Sequence, residues 1–280
     1  MKKSILIQFS TTPQRLEDII KACRFNNVSY EFFSYYTNSN KIDDLPQDII
    51  EDKYFTFASI PPIYNSLKRQ SEYYKNEKDF HLYNESFIDS FFGNSFDYFE
   101  QEFIFNEINK GNIVSLPMLN LGGHIVSINS IDKNHRFDKE IFIKPNSAFK
   151  EFIGGLTVVG ETFEDFLIRK KLGTKEDIEI LVAPNKKIHS EYRFFVYNGC
   201  VIEGSSYILK KQFNKNVPIP NIIQKEAEKL AQIYQPSKAF TLDLCLLENG
   251  DVNIVEYNHL SASGHYSCNL RELINIVTTT

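Results

Sequence analysis

The sequence predicts an α+β chain that opens with a small α/β layer. Three observations carry this: strand, helix and strand signals alternate over residues 4–36, two Asn-Gly pairs sit between strand-length apolar runs, and amphipathic helix patterns lie between such segments. "SILIQF" has strand length. In "TTPQRLEDIIKACRFNN", Thr12 can cap a helix, Pro13 suits its first position, and Leu16, Ile19, Ile20 and Cys23 mark one face. "VSYEFFSYY" returns to strand composition. From 37 to 80, polar clusters and "IPPIYN" predict no regular element. Residues 87–111 read as helix with a break near Gly93.

Composition narrows the function. A net charge of -5 argues against a protein that coats nucleic acid, and it leaves "IRKKLGTK" and "LKKQFNKN" as local basic stretches or plain solvated lysines. The opening "MKKSILIQFSTT" has too short an apolar stretch for a signal peptide, and no run approaches the length of a membrane span. Cys23, Cys200, Cys245 and Cys268 are scattered without CxxC spacing, which fits reduced thiols in a cytoplasm.

The texture changes at "KEIFIKPNSAFKEFIGGLTVVGETFEDFL". Ile141 to Ile143 predict a strand, Gly154-Gly155 a tight mobile loop, and Thr162 a helix start. Neither GxxxxGK[ST] nor GxGxxG occurs, so no P-loop or dinucleotide fold is signalled. Lys144 and Lys150 flank this glycine segment, either as solvated side chains or as anion contacts. "IEILVA" predicts a strand, and "EYRFFVY" and "CVIEGSSY" flank Asn198-Gly199 as a hairpin. Arg193, Phe195 and Tyr197 share one face of it, so Arg193 either lies along an exposed edge or points inward and is paired. "NIIQKEAEKLAQIYQ" predicts a helix capped by Asn221.

The last motif is "KAFTLDLCLLENGDVNIVEYNHL". If Asn249 and Gly250 form a two-residue loop, counting outward sets Asp243 opposite Glu256. Opposed residues have Cβ atoms about 4.5–5.5 Å apart, where like charges repel. A shared proton, a nearby arginine or a hard divalent cation would offset that repulsion, and an exposed acidic face is the plainer alternative. Asn258 points to the same side as Glu256 and offers a third oxygen. Magnesium is the ion that this set suits best. Leu242, Leu244, Leu246, Ile254 and Val255 favour burial of the opposite face.

Two lysines by a glycine segment, a strand arginine and an Asp…Glu-x-Asn cluster, in that order, resemble the ATP-grasp superfamily over roughly residues 140–275. "FIKPNSAFKEFIGG", "SEYRFFV" and "LDLCLLENGDVNIVEYNHLSASGHY" are most similar to its clade named for two arginines and a lysine, although Lys144-Pro145 stands where that clade has Arg-Pro. Charge is kept and a bidentate fork is lost. The resemblance implies two α+β lobes gripping ATP, with residues 1–110 as a preceding α/β region and 111–280 as the core. It implies Lys144 on the α- or β-phosphate, and Lys150, Gly154 and Gly155 in the loop covering the phosphates. Glu179 to Val182, including Leu181, would be the hinge whose backbone reads adenine. Arg193 would face the γ-phosphate, Asp243, Glu256 and Asn258 would hold Mg2+, and Ser261, Ser263, Gly264 and His265 would line the acceptor side. His265 is either a base for an incoming amine or only a hydrogen-bonding residue.

The implied activity is an ADP-forming ligase that activates a small-molecule or peptide carboxylate as an acylphosphate and joins it to an amine or another nucleophile. A kinase of the same fold and a silent nucleotide-binding module are the alternatives. No membrane partner is expected, and the overall charge, which disfavours nucleic acid, leaves nucleic acid or a protein tail open as the acceptor.

Overall fold

The computed structural model describes residues 3–8, 13–36, 41–43, 54–57, 101–113, 116–146, 152–172, 178–209, 212–213, 217–260 and 263–279. At the N-terminus β1 (Ser4–Gln8), α1 (Pro13–Phe25) and β2 (Tyr30–Tyr36) form the β-α-β unit that the sequence pattern predicts, with β1 and β2 parallel. Two further strands, β3 (Lys41–Asp43) and β4 (Tyr54–Phe57), complete a sheet of order β3-β2-β1-β4. They fall where no regular element is expected. Three or four residues are too short to show an alternating pattern, and pairing to β2 and β1 defines them instead. Of the helical stretch expected over 87–111, α2 (Gln101–Asn109) is present, and the part before residue 101 lies outside the described residues.

A second sheet, of order β5-β8-β6-β7, is built from β5 (His124–Ser127), β6 (Ile141–Pro145), β7 (Gly155–Leu156) and β8 (Glu179–Pro184). It packs on α3 (Phe163–Arg169) through Ile143, Phe163, Phe166, Leu167 and Ile180. Thr162 caps that helix as expected: its hydroxyl accepts from the Asp165 N–H, and its own N–H donates to the Asp165 carboxylate.

The third sheet is antiparallel throughout, in the order β11-β10-β9-β12-β13. Its strands are β9 (Ile188–Tyr197), β10 (Cys200–Leu209), β11 (Gln212–Phe213), β12 (Ala239–Leu247) and β13 (Val252–His259). Period-two alternation sends Tyr192, Phe194, Val196, Phe240, Leu242 and Leu244 to one face. There they meet Ile223, Ala227, Leu230 and Ala231 of α4 (Asn221–Ile233) and Ile104 and Phe105 of α2. On the other face Phe195 and Tyr197 join Ile5, Ile7 and Ile19 of the N-terminal layer and Leu273, Ile274 and Val277 of α5 (Leu270–Thr279). The N-terminal layer is thereby fixed against one end of the third sheet. The cap of α4 departs from expectation: Pro220 occupies the cap position and Asn221 is already helical, because the Pro220 carbonyl accepts from Ile223 N and Gln224 N.

The two hairpins differ. Asn198 and Gly199, with φ of 48° and 73°, make the two-residue turn that Asn-Gly predicts. At the second, Leu247 N donates to Asp251 O and the loop has three residues, with Gly250 at φ 92°. The register near the turn is therefore shifted by one: Leu246, Cys245 and Leu244 oppose Val252, Asn253 and Ile254. A bulge at Val255 restores it, and Asp243 opposes Glu256 as counted from the sequence. Gln101 Nε2 of α2 donates to the Val255 carbonyl at 2.9 Å. Among the described residues no helix is long and apolar enough to cross a membrane.

Leu230 is 1% exposed and Ile222, on the same helix, 66% exposed. Leu230→Ala is expected to cost about 2–5 kcal/mol and Ile222→Ala under about 0.5 kcal/mol, read as separated thermal midpoints. Equal shifts would contradict this packing.

Candidate active site

The polar face of the third sheet carries Glu191 and Arg193 on β9, Asp243 on β12, and Glu256 and Asn258 on β13. Alternation places them there while their neighbours enter the core. Arg193 and Asp243 are directly opposed, 7% and 0% exposed. Arg193 Nε donates to Asp243 Oδ1 at 2.8 Å and Nη2 to Oδ2 at 2.6 Å, a bidentate pair. Burial alone would pull the guanidinium pKa down; Asp243 more than reverses this and leaves it raised. The strand arginine therefore points inward and is paired.

Asn258 Nδ2 donates to Glu256 Oε1 at 3.0 Å and to Asp243 Oδ2 at 3.4 Å. The three side chains read from the sequence as one oxygen cluster thus converge. Lys144, on β6 of the second sheet, reaches Glu256 Oε2 at 3.6 Å across the seam between the two sheets. Gly154 lies directly over Lys144: a Cβ there would be 2.7 Å from Lys144 Cβ and 3.1 Å from the Phe142 ring. Only glycine fits so close an approach. Where a tight loop was expected, Gly155 already begins β7, opposite Ile143. Lys170 Nζ donates to the Gly154 carbonyl at 3.1 Å, and burial, then Arg169, lowers its pKa. Lys150 and Ser261 lie outside the described residues.

Two of the expected site segments sit in surroundings that the sequence does not show. Ile180 to Val182 pair on both sides, with β5 and β6, while Glu179 pairs with β5 and its carbonyl accepts from Asn146 N. The Leu181 side chain belongs to the core of the third sheet, and the exposed Glu179 accepts from Asn146 Nδ2 at 3.3 Å. The first backbone beyond both ladders is 185–187. His265 is buried, and burial with the cations Arg15 and Arg193 pushes its pKa down to about 3. A neutral imidazole of that basicity is a poor proton acceptor near pH 7. Ser263 is also committed, pairing with Thr241 Oγ1 at 2.9 Å and donating to the His259 carbonyl at 2.8 Å.

Sequence reasoning missed Glu191, Tyr207, Tyr266 and Arg15. Tyr207 donates to Glu191 and stacks on Tyr266 with ring centres 4.9 Å apart; the Arg193 guanidinium lies 5.7 Å and 5.2 Å from the two rings. Burial, then Asp243 and Glu256, raises the Glu191 pKa against the Tyr207 hydrogen bond. Glu191 was detectable, two residues before Arg193 on the same face. Arg15 was not, since nothing local ties α1 to this loop.

Two sheets meeting over a seam of cations and acids, behind a small parallel α/β layer, define an ATP-grasp fold. The family model described as "ATP-grasp domain, R2K clade family 3" matches residues 112–276, more than half of the chain, and the chain belongs to that family. Among solved structures, the ATP-grasp ligase PsnB complexed with a minimal precursor superposes with a TM-score of 0.55 at 10% identity, covering 99% of each chain. An L-amino acid ligase from Bacillus licheniformis gives 0.52 at 11% identity, over 99% of this chain and 75% of that one. D-alanine–D-alanine ligase from Bacillus anthracis, complexed with ATP, gives 0.50 at 11%, over 93% and 86%. At such identities the likeness is one of fold. No curated protein matches the chain in sequence. Family and fold agree that the chain carries an ATP-grasp domain.

His265 yields a pH prediction. Its imidazole titrates near 6.5 when unfolded and about 3 when folded, so between these values the unfolded chain binds the extra proton. Its contribution is complete above pH 6.5 and is lost as pH falls, by about 1.4 kcal/mol between pH 7.5 and 5.5. His265→Asn should flatten that part of the stability profile in urea titrations; an unchanged slope would refute the neutral imidazole.

Proposed function

We propose that the chain is an ATP- and magnesium-dependent ligase that activates a carboxylate and joins it to an amine. The observation that carries this reading is the meeting of Lys144 from one sheet with Asp243, Glu256 and Asn258 from the other. A triphosphate lying in that seam would have an ammonium on one side and hard oxygen donors on the other.

The donor set suits magnesium: two carboxylates and an amide converge, and rotating the Asn258 amide turns its oxygen toward them. Among the described residues no cluster of three His, Cys, Asp or Glu side chains forms a metal cage, so phosphate and water would complete the shell. When bound, the ion neutralises charge on the β- and γ-phosphates. Lys144 would hold the α- or β-phosphate, and Gly154, Gly155 and Lys150 would belong to the covering segment. The hinge at Glu179 to Val182, with the backbone of 185 and 186 just beyond it, would take the adenine edge. Arg193, held rigid by Asp243 and the two tyrosines, would face the γ-phosphate.

In the reaction a carboxylate oxygen attacks the γ-phosphorus and the bond to ADP breaks, giving an acylphosphate. An amine nitrogen then attacks the acyl carbon, inorganic phosphate leaves, and the nitrogen loses a proton. Phosphoryl transfer needs chiefly positioning and neutralisation of spread charge, which Lys144 and Arg193 can supply.

Glu256→Gln is the informative variant. Asp243→Asn would leave Arg193 buried without its carboxylate, which costs about 3–5 kcal/mol in stability. With Glu256→Gln, calorimetry should show magnesium-dependent binding of a non-hydrolysable ATP analogue weakened at least about tenfold, and ADP release slowed by about 100- to 1,000-fold. Unchanged binding would remove Glu256 from the metal site. A phosphorylated acceptor in place of an amide would make the chain a kinase.

A further inference from the structure

The first two residues of α2 reach both walls of the seam. Gln101 Nε2 donates to the Val255 carbonyl, beside Glu256 on β13, and Glu102 Oε2 accepts from Asn146 Nδ2 at 3.1 Å, at the end of β6. The ladder between β6 and β8 runs one residue past Pro145, where Asn146 N donates to the Glu179 carbonyl at 3.0 Å. Alternation therefore sets Asn146 on the same side as Lys144, the side from which Leu181 enters the core of the third sheet. A single helical turn thus holds a near neighbour of each residue that meets across the seam, Lys144 and Glu256.

These contacts serve position more than stability. Asn146 is 4% and Gln101 2% exposed, and among the described residues Asn146 Oδ1 and Gln101 Oε1 meet no donor. A buried amide with one end unpaired is unfavourable, and apolar groups of the same shape would suit the fold as well. Asn146 Nδ2 also donates to Glu179 Oε2 within its own sheet. Glu102 supplies the part of the contact that crosses to α2, which Ile104 and Phe105 fix in the core of the third sheet. We propose that Glu102 is a positioning residue for nucleotide binding: by holding Asn146 it sets the end of β6, and Lys144 on it, at the distance from Glu256 that a magnesium-bound triphosphate spans. This rests on the nucleotide reading of the seam given above and adds to it a residue that precedes the matched family domain, which begins at residue 112.

The test is a double-mutant cycle of Glu102→Ala and Lys144→Met, read by calorimetry with magnesium and a non-hydrolysable ATP analogue. Glu102→Ala should weaken binding about three- to tenfold in the native background and by less than about twofold when Lys144 is already Met. Glu102→Gln keeps a side-chain oxygen that can accept from Asn146, and it should stay within about twofold of the native chain. The proposal is overturned if Glu102→Ala binds like the native chain, or if it weakens binding just as much in the Lys144→Met background. If the native chain does not hold the analogue, the nucleotide reading fails instead. The same four proteins compared in urea unfolding then decide the role of Glu102: coupled losses support it, and additive losses overturn it. The urea comparison also serves if Lys144→Met binds too weakly to measure. Thermal midpoints establish that each variant is folded.

Discussion

The buried pair of Arg193 and Asp243 organises the rest of the molecule. Two opposite charges in the middle of a five-stranded sheet persist only with close geometry and satisfied hydrogen bonds, and both conditions hold here. The pair fixes one face of the sheet as polar, which leaves the other to bury Phe194, Leu242 and Leu244. It anchors the Asn258 amide and, through that amide, Glu256. Tyr207 and Tyr266 form a stacked wall beside the guanidinium, and their ring faces attract its charge. Rigidity at Arg193 is thus inherited from the sheet.

The seam between the second and third sheets is polar where the Lys144 ammonium meets the Glu256 carboxylate and apolar where Leu181 enters the core of the third sheet. One strand, β8, therefore packs a side chain against one sheet while its backbone holds another together. That double duty makes 179–182 a fixed support.

Much of this architecture was legible in the sequence. Alternation in "SEYRFFV" sorted Arg193 from Phe194 correctly, and residue counting opposed Asp243 to Glu256. The counting succeeded for a reason it did not contain: a three-residue loop and a bulge shift the register by one each, in opposite senses. Strands β3 and β4 were not legible, since their short segments are strands through their neighbours. The basicity of His265 was equally hidden. A histidine in a polar-looking loop gives no sign that the fold will bury it beside two arginines from separate layers.

The bulge at Val255 has a further consequence. A strand has only two phases, and β13 changes phase at that residue, so its half near the hairpin loop and its half near the site are set independently. The carbonyl that the extra residue turns out of the ladder is met by Gln101 from α2, a helix distant in sequence. That contact helps to hold Glu256 and Asn258 on the polar face, while the half nearer the loop is tied down separately through Ile254, which is buried and bonded to Pro117 and Leu119.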